Sequence, residues 1–286
     1  MSLWQVVILA VVQGLTELLP VSSSAHVVVA EKLLGLDPSS PPMTLLLVML
    51  HTGTMFAVIV YFWSQWRETY FQSVVAFKKF AGLVVLATIL TGLVGEAIIK
   101  IIEKTAFRGL PHAEIEDLFR HLELIAPALA GAGFLILIAG ILDTRGLTGR
   151  TNDLSPKQAG IIGTVQGLCL PFRGFSRSGA TISAGMLAGV GKSRAETFSF
   201  ALAVVLTPPV VARETLRLVR AEHITGTANL ASAALPSLLG AVFAFLAGLL
   251  ALKWLSRWLE HGRWHFFGIY CLAAAAAVGY LHYLGY

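Results

Sequence analysis

Charged side chains are scarce in this chain of 286 residues. Asp, Glu, Lys and Arg make up 13% of it, whereas an ordinary soluble domain carries about 25%. Cysteine is scarcer still, because the chain has only Cys169 and Cys271, which lie far apart in apolar surroundings. These shortages exclude a soluble globule, a disordered chain and a disulfide scaffold. Since hydrophobic residues make up 56% of the chain, the composition predicts an integral membrane protein.

Apolar runs suited to crossing a membrane recur along the chain. A helix needs about 20 mostly apolar residues to cross the hydrocarbon core of a bilayer. Six runs approach or exceed that length, at 43–63, 81–102, 125–142, 197–212, 225–252 and 264–286. We therefore expect six transmembrane helices.

Two other apolar stretches, 3–30 and 159–190, are interrupted by polar residues near their centres. The apolar arms on either side are too short to span a bilayer separately. Irregular backbone at membrane depth is tolerated only inside protein or beside water. Both stretches are therefore predicted to be re-entrant helical hairpins whose polar tips lie inside the bundle.

Basic residues are concentrated in four of the predicted loops. The loops 64–80, 143–158, 191–196 and 253–263 together hold eleven Lys and Arg against five Asp and Glu. By the positive-inside rule these loops are cytoplasmic, which places both termini outside. The net charge of +5 is therefore typical of cytoplasmic loops and does not indicate a nucleic-acid partner.

The two hairpin stretches resemble each other at an offset of 153 residues. The string V-Q-G-L occurs at 12–15 and again at 165–168, and Ser23 aligns with Ser176. Each half, 1–142 and 159–286, has one hairpin and three spans, with the loop 143–158 between them. Because three is odd, the second half enters the membrane with the opposite orientation. We expect an all-α polytopic membrane protein, one membrane domain over 1–286, built as an inverted-topology repeat with six transmembrane helices and two re-entrant hairpins.

The first hairpin holds an unusual group of polar side chains. An ionisable residue inside an apolar segment is costly and needs a partner or water. A lone histidine or serine there often serves only in packing, but several within ten positions favour a functional site. The group comprises Glu17, Ser22, Ser23, Ser24 and His26.

The second hairpin brings two arginines close to its tip. No acidic residue lies near Arg173 and Arg177 in the sequence, so an anionic ligand is the simplest compensation. Arginine binds phosphate oxygens through its planar fork, and glycines allow backbone to approach a ligand. Arg173 could instead extend toward a lipid headgroup. The residues predicted to contact the anion in this hairpin are Arg173, Gly174, Ser176, Arg177, Ser178, Gly179 and Thr181.

The two groups together are suited to phosphoryl chemistry. Attack on phosphorus needs an activated nucleophile and neutralised phosphoryl oxygens. Ser23 or His26 would attack, Glu17 would act as base, and Ser176 with Arg177 would hold the phosphate. The alternative role for Glu17 is to hold a divalent cation, although one carboxylate is a sparse ligand set.

Two long motifs resemble those of the undecaprenyl-diphosphatase family, which is also called the bacitracin-resistance family. The first is a Gln-x-x-x-Glu element followed by P-V-S-S-S-A-H, and the second is G-F-S-R-S-G-A-T-I-S. The later string F-S-F-A-L-A-V at 198–204 is also similar to the family, so the resemblance covers essentially the whole chain.

The resemblance implies an enzyme of the bacterial inner membrane that removes one phosphate from undecaprenyl diphosphate. The product is the monophosphate lipid carrier of peptidoglycan synthesis, and the active site is expected to face the periplasm. Gln13, Glu17, Ser23, His26 and Arg177 match the family's functional positions, and whether Ser23 or His26 is the nucleophile stays open. The resemblance also implies a divalent cation, Mg²⁺ or Ca²⁺.

Two features depart from the family pattern. Gln13 stands where many relatives have Glu, and Arg173 is an addition to the second motif. With Ser22 and Ser24, Gln13 completes the predicted substrate-binding set.

Two further properties stay open from the sequence. The inverted repeat leaves a flippase or transporter of polyprenyl phosphate as the alternative function. Membrane lipids and a polyprenyl diphosphate are the expected partners, and a homodimer is one open assembly state.

Overall fold

Helices account for nearly all of the described structure. A computed structural model of the chain describes residues 1–37, 40–106, 122–148, 151, 153–172, 174–225 and 230–284. Within these ranges the chain forms ten helices. They are α1 (Leu3–Leu18), α2 (Ser23–Leu33), α3 (Pro41–Thr69), α4 (Val74–Ala106), α5 (Leu122–Thr144), α6 (Pro156–Cys169), α7 (Arg177–Leu187), α8 (Lys192–Thr225), α9 (Leu230–Glu260) and α10 (Trp264–Tyr283).

Six of these helices, α3, α4, α5, α8, α9 and α10, are long and apolar enough to cross a membrane. The prediction of six transmembrane helices is therefore confirmed. The bounds differ most in α8, which continues through Pro208 and Pro209 to Thr225, although the apolar run ends at 212. A helix can extend past the apolar run because its backbone hydrogen bonds do not depend on side-chain polarity.

The four remaining helices form two hairpins, α1 with α2 and α6 with α7. The backbone N–H of Ser2 donates to Gln5 Oε1 at 2.9 Å, and that of Ser155 donates to Gln158 Oε1 at 2.9 Å, so α1 and α6 begin with the same capping box. Gln5 Nε2 also donates to the carbonyl of Leu34 at 3.4 Å, just past the end of α2. Gln158 Nε2 likewise donates to Ala188 O at 3.1 Å, just past α7. Each hairpin therefore starts and ends at the same level of the molecule.

The first helix of each hairpin packs against a long helix from the other half of the chain. A Cβ at Gly14 of α1 would lie 2.6 Å from both Ala244 O and Ala247 Cβ of α9. A Cβ at Gly167 of α6 would lie 2.8 Å from Thr91 O of α4. Such close backbone approach is typical of helices that pack through small residues in membranes.

The basic loops predicted to share one side do lie together. Lys79 Nζ is 2.7 Å from Asp153 Oδ2, and Lys192 Nζ is 2.8 Å from Asp143 Oδ2. The hydrogen bond from Lys79 holds the pKa of Asp153 below its usual range. A Cβ at Gly262 would also lie 3.9 Å from Asp143 Oδ2, so the α9–α10 loop joins this side.

Candidate active site

The tips of the two hairpins line an open cavity of about 200 Å³ with both polar and apolar walls, called here the tip cavity. It brings together parts of the chain that lie some 150 residues apart, as the sequence analysis predicted. Its lining residues are Thr16, Glu17, Ser22, Ser23, Ser24, Cys169, Leu170, Phe172, Phe175, Ser176, Arg177 and Ser178.

Glu17, on the last turn of α1, is the centre of the hydrogen-bond network in this cavity. Ser23 Oγ donates to Glu17 Oε2 at 2.5 Å, and Gln13 Nε2 donates to the same oxygen at 3.1 Å. Gln13 lies one turn before Glu17 on the same face of α1 and is almost fully buried. A carboxylate held against a serine hydroxyl in this way is positioned to accept the hydroxyl proton.

Arg177, the first residue of α7, faces the other oxygen of Glu17. Its Nη2 is 3.4 Å from Glu17 Oε1, and its side chain is only 24% exposed. Its Nη1 is buried and has no hydrogen-bond partner among the described residues. Since a buried donor without a partner is costly, this nitrogen is suited to binding an anion that enters the cavity.

The connection between α1 and α2 is strained at Ser22, whose φ is +67°. Apart from glycines, no other described residue has a positive φ. Such a conformation is costly for a residue with a Cβ and is found most often at functional sites. Here it turns the chain so that Ser23 begins α2 directly beside Glu17.

Hydrogen bonds between the two hairpins hold the tips together. The backbone N–H of Gly174 donates to Ser24 Oγ at 3.3 Å, and Ser178 Oγ donates to Leu19 O at 3.4 Å. Gly174 has a φ of +101°, which a glycine adopts without strain. Ser176 caps α7 by accepting a hydrogen bond from the backbone N–H of Gly179 at 3.2 Å.

Among the described members of the predicted anion-contacting set, Gly174, Gly179 and Thr181 do not line the tip cavity. Thr181 is fully buried against α8, where its hydroxyl is 2.5 Å from Ser199 Oγ. A Cβ at Gly179 would lie 2.5 Å from Ile136 Cδ1 of α5, so this glycine serves helix packing. Arg173 lies outside the described residues.

His26 lies on α2 outside the tip cavity. Its Nδ1 is 2.8 Å from Ser22 O, and its Nε2 is 2.7 Å from Tyr270 Oη of α10. Because a carbonyl only accepts, Nδ1 donates to Ser22, and Nε2 of the neutral ring then accepts from the Tyr270 hydroxyl. The neighbouring Cys271 Sγ donates to Pro20 O at 3.2 Å, so α10 supports the α1–α2 connection at two points.

Sequence reasoning favours a core hydrogen-bonding role for His51 over one at the cavity, and it does not select Tyr270. His51 Nε2 lies 3.8 Å from Glu17 Oε2, while its Nδ1 donates to Leu47 O at 2.8 Å. The signal for His51 was present, because it lies within the apolar run 43–63. Tyr270 gives no such signal, since aromatic residues are common in membrane helices.

The donor set for a metal is small. No group of three His, Cys, Asp or Glu that could hold an ion occurs within the described ranges. Glu17 offers a carboxylate and Ser23 adds a neutral oxygen beside it, whereas Gln13 faces Glu17 with its amide nitrogen. Mg²⁺ is commonly bound by one or two carboxylates with substrate phosphates as further ligands. The site therefore fits a divalent cation only together with a phosphate substrate.

The six spanning helices define a multi-pass membrane protein, and its candidate site combines a half-buried carboxylate, a serine hydroxyl and a guanidinium nitrogen without a described partner. Such groups are those that phosphoryl transfer requires. The family described as "Bacitracin resistance protein BacA" matches residues 6–277, and the chain belongs to that family.

Similar proteins cover nearly the whole chain. Undecaprenyl-diphosphatase 2 of Acinetobacter baylyi is 59% identical over 281 residues, covering 97% of each chain. Undecaprenyl-diphosphatase 1 of Burkholderia pseudomallei is 36% identical, over 96% of this chain and 95% of the relative. Undecaprenyl-diphosphatase of Rhodopirellula baltica is 32% identical, over 97% of each chain.

Proposed function

We propose that this protein is a membrane phosphatase that hydrolyses undecaprenyl diphosphate to undecaprenyl monophosphate and phosphate. It would thereby recycle the lipid carrier of peptidoglycan synthesis. The observation that carries the proposal is the contact of Ser23 Oγ with Glu17 Oε2 beside Arg177. Membership of the BacA family and the names of the similar proteins support the same activity.

In the first step Ser23 is the nucleophile and Glu17 the base. Ser23 Oγ forms a bond to the terminal phosphorus as its proton passes to Glu17 Oε2. The bond from that phosphorus to the bridging oxygen breaks, and polyprenyl monophosphate leaves with the bridging oxygen. Arg177 neutralises the charge that develops on the phosphoryl oxygens. It does so through Nη1, which has no hydrogen-bond partner among the described residues.

In the second step water attacks the phosphorus of phosphorylated Ser23. The bond between phosphorus and Ser23 Oγ breaks, and Glu17 returns its proton to that oxygen. Both hydrogens of the water leave with the inorganic phosphate. The enzyme thus regains its starting protonation state.

His26 is a positioning residue in this scheme. Its two ring nitrogens are engaged by Ser22 and Tyr270, on a side of α2 that does not face the tip cavity. The hydrogen bond to Ser22 O stabilises the strained backbone that places Ser23 beside Glu17. This arrangement supports Ser23 over His26 as the nucleophile.

In the alternative role of Glu17 as a metal ligand, its carboxylate and oxygens of the bound diphosphate would hold a divalent cation, Mg²⁺ or Ca²⁺. When bound, it would supply additional neutralisation of phosphoryl charge. Chelation with EDTA is expected to lower phosphate release, and added Mg²⁺ or Ca²⁺ to restore it. Turnover that EDTA leaves unchanged would contradict a cation requirement.

The inverted-topology repeat with two re-entrant hairpins is supported by contacts that recur at the offset of 153. Gln5 and Gln158 are equivalent at this offset and make equivalent caps. The pair Gly14 and Ala244 is likewise equivalent to Gly167 and Thr91, and both pairs are in close contact. Both hairpins also return to the level at which they start, as a re-entrant segment must.

The location proposed is the bacterial inner membrane, with the tip cavity open to the periplasm. The four basic loops would then be cytoplasmic, in accord with the positive-inside rule. The product phosphate would leave on the outer side of the membrane.

The activity is tested by phosphate release from undecaprenyl diphosphate by the purified protein in detergent. Arg177→Ala is expected to lower kcat by about 10²–10³, because it removes a donor to the developing charge. Arg67→Ala, at the exposed end of α3, is the matched control and should retain full turnover. A folded wild-type sample that releases no phosphate, or that moves lipid phosphate across vesicles without releasing it, would contradict the proposal.

A further inference from the structure

A second cavity adjoins the tip cavity and is more than twice as large, at about 450 Å³. It lies mainly between α3 and α8, and is called here the α3–α8 cavity. The two cavities share Leu170 and Arg177 in their linings. Its volume is within the usual range of small-molecule sites, about 300–1,000 Å³.

The α3–α8 cavity is polar where it borders the tip cavity. Arg177 and His51 both line it, and both lie within 3.8 Å of Glu17. Gln166 also lines it, and its Oε1 is buried with no hydrogen-bond partner among the described residues. An anionic group at this end would therefore meet the guanidinium of Arg177, whereas Gln166 Oε1, an acceptor, would pair with a water molecule or a protonated phosphate oxygen.

Aliphatic side chains line most of the rest. They include Leu47 and Val48 of α3 and Leu206, Val210 and Val211 of α8. Along α8 the lining runs from Ala203 to Glu214, which at 1.5 Å per residue is about 16 Å. The cavity thus has the shape and polarity that fit a charged headgroup followed by a branched hydrocarbon.

A second apolar cavity is an alternative site for the hydrocarbon tail. It has a volume of about 320 Å³ and is lined by residues of α2, α5 and α10, among them His26, Tyr270 and Leu281. This α10 cavity shares no lining residue with the tip cavity, and neither Glu17 nor Arg177 reaches it. Of these two described cavities, the α3–α8 cavity is the one that is continuous with a diphosphate bound at Arg177 in the tip cavity.

We infer that the α3–α8 cavity binds the inner phosphate and the first isoprene units of the substrate. The inference rests on the proposed function, since it assumes a prenyl diphosphate at the tip cavity. Arg177, shared by the two cavities, contacts both phosphates, while α3 and α8 enclose the proximal part of the tail. The remaining tail extends into the bilayer beside α8.

The direct test is photo-crosslinking of the wild-type protein with a prenyl diphosphate that carries a diazirine on its first isoprene units. Crosslinked peptides are expected from 44–51 of α3 and 203–214 of α8. Crosslinks confined to 25–29 and 273–281, or spread evenly over the membrane-facing helices, would overturn the inference. Phosphate release measured on the same sample separates the two proposals, because crosslinks in α3 and α8 without release contradict only the phosphatase.

A matched pair of variants gives a second test. Leu206→Trp fills the α3–α8 cavity, whereas Leu281→Trp makes the same change in the α10 cavity. Leu206→Trp is expected to raise KM for undecaprenyl diphosphate by about tenfold and to leave kcat nearly unchanged. The reason is that the free energy of burying one branched apolar unit corresponds to about a tenfold change in affinity. Leu281→Trp should leave both constants unchanged. A raised KM for Leu281→Trp and an unchanged KM for Leu206→Trp would overturn the inference. If either variant fails to fold, the crosslinks of the wild-type protein decide between the two cavities.

Discussion

At the scale of single residues, the site depends on how the two oxygens of Glu17 are divided. Oε2 accepts hydrogen bonds from Ser23 and Gln13, and Oε1 faces Arg177. In the proposed mechanism, the oxygen that takes a proton and the oxygen that faces the guanidinium are therefore different atoms. One carboxylate would thus activate Ser23 and align Arg177.

Replacing this carboxylate with an amide tests its role as base. Glu17→Gln is expected to lower kcat by about 10²–10⁴, because an amide cannot accept the Ser23 proton. The measurement is phosphate release from undecaprenyl diphosphate. Glu96→Gln, on an exposed ion pair with Lys100 in α4, is the control and should keep wild-type kcat. Equal rates in the two variants would contradict the role of Glu17.

The nucleophile is identified by trapping the phosphorylated enzyme with labelled substrate in a rapid acid quench. We expect an acid-stable phosphoserine at Ser23, which Ser23→Ala abolishes because the attacking oxygen is gone. His26→Ala should slow turnover yet still form this intermediate, since His26 acts through the backbone of Ser22. An acid-labile phosphohistidine at position 26 would contradict the assignment.

Sequence reasoning selects Glu17 and Arg177 because a charge is costly inside an apolar stretch, and it selects Ser23 because several polar residues lie within ten positions. It could not reach the contact of His26 with Tyr270, since those residues lie 244 positions apart. Nor could it separate Thr181 and Gly179 from the cavity-lining residues of α7. Which face of a short helix meets the cavity depends on the position of its neighbours.

At the scale of helices, close packing at glycine sets the position of each hairpin. Gly167→Ala is expected to lower the apparent Tm in detergent by several degrees, because its Cβ would meet α4 backbone and overpacking costs about 1–3 kcal/mol. Gly92→Ala, on α4 itself, is the control: nothing lies within 4 Å of a Cβ there, so Tm should stay unchanged or rise. An unchanged Tm for Gly167→Ala would contradict this packing.

The helices themselves were largely predictable from apolar length, and their ends were not. The run 264–286 closely matches α10, whereas the run 197–212 covers less than half of α8. The tail of α8 carries charged residues, so hydropathy falls where the helix continues. Part of the run 225–252 lies outside the described residues, and α9 is described from Leu230.

At the scale of the whole molecule, the charged loops predict the orientation in the membrane. Native Cys169 and Cys271 are buried, so single new cysteines can be labelled selectively. In spheroplasts a membrane-impermeant maleimide should label Lys32→Cys, on the outer side, and not Gln72→Cys in the α3–α4 loop. Both variants should react after permeabilisation, which controls for accessibility. Labelling of Gln72→Cys and not of Lys32→Cys in intact spheroplasts would show that the orientation is opposite to the predicted one.

The first helix of each hairpin packs against a long helix from the other half of the chain, and this arrangement affects how the protein is made. α1 is synthesised first, yet its packing partners Ala244 and Ala247 are among the last fifty residues of the chain. During translation α1 therefore lacks this packing surface until α9 has been synthesised. Biogenesis of this protein thus calls for an insertase or chaperone that shelters an unfinished polar hairpin, and a truncated chain ending before α9 should be an early target of membrane proteases.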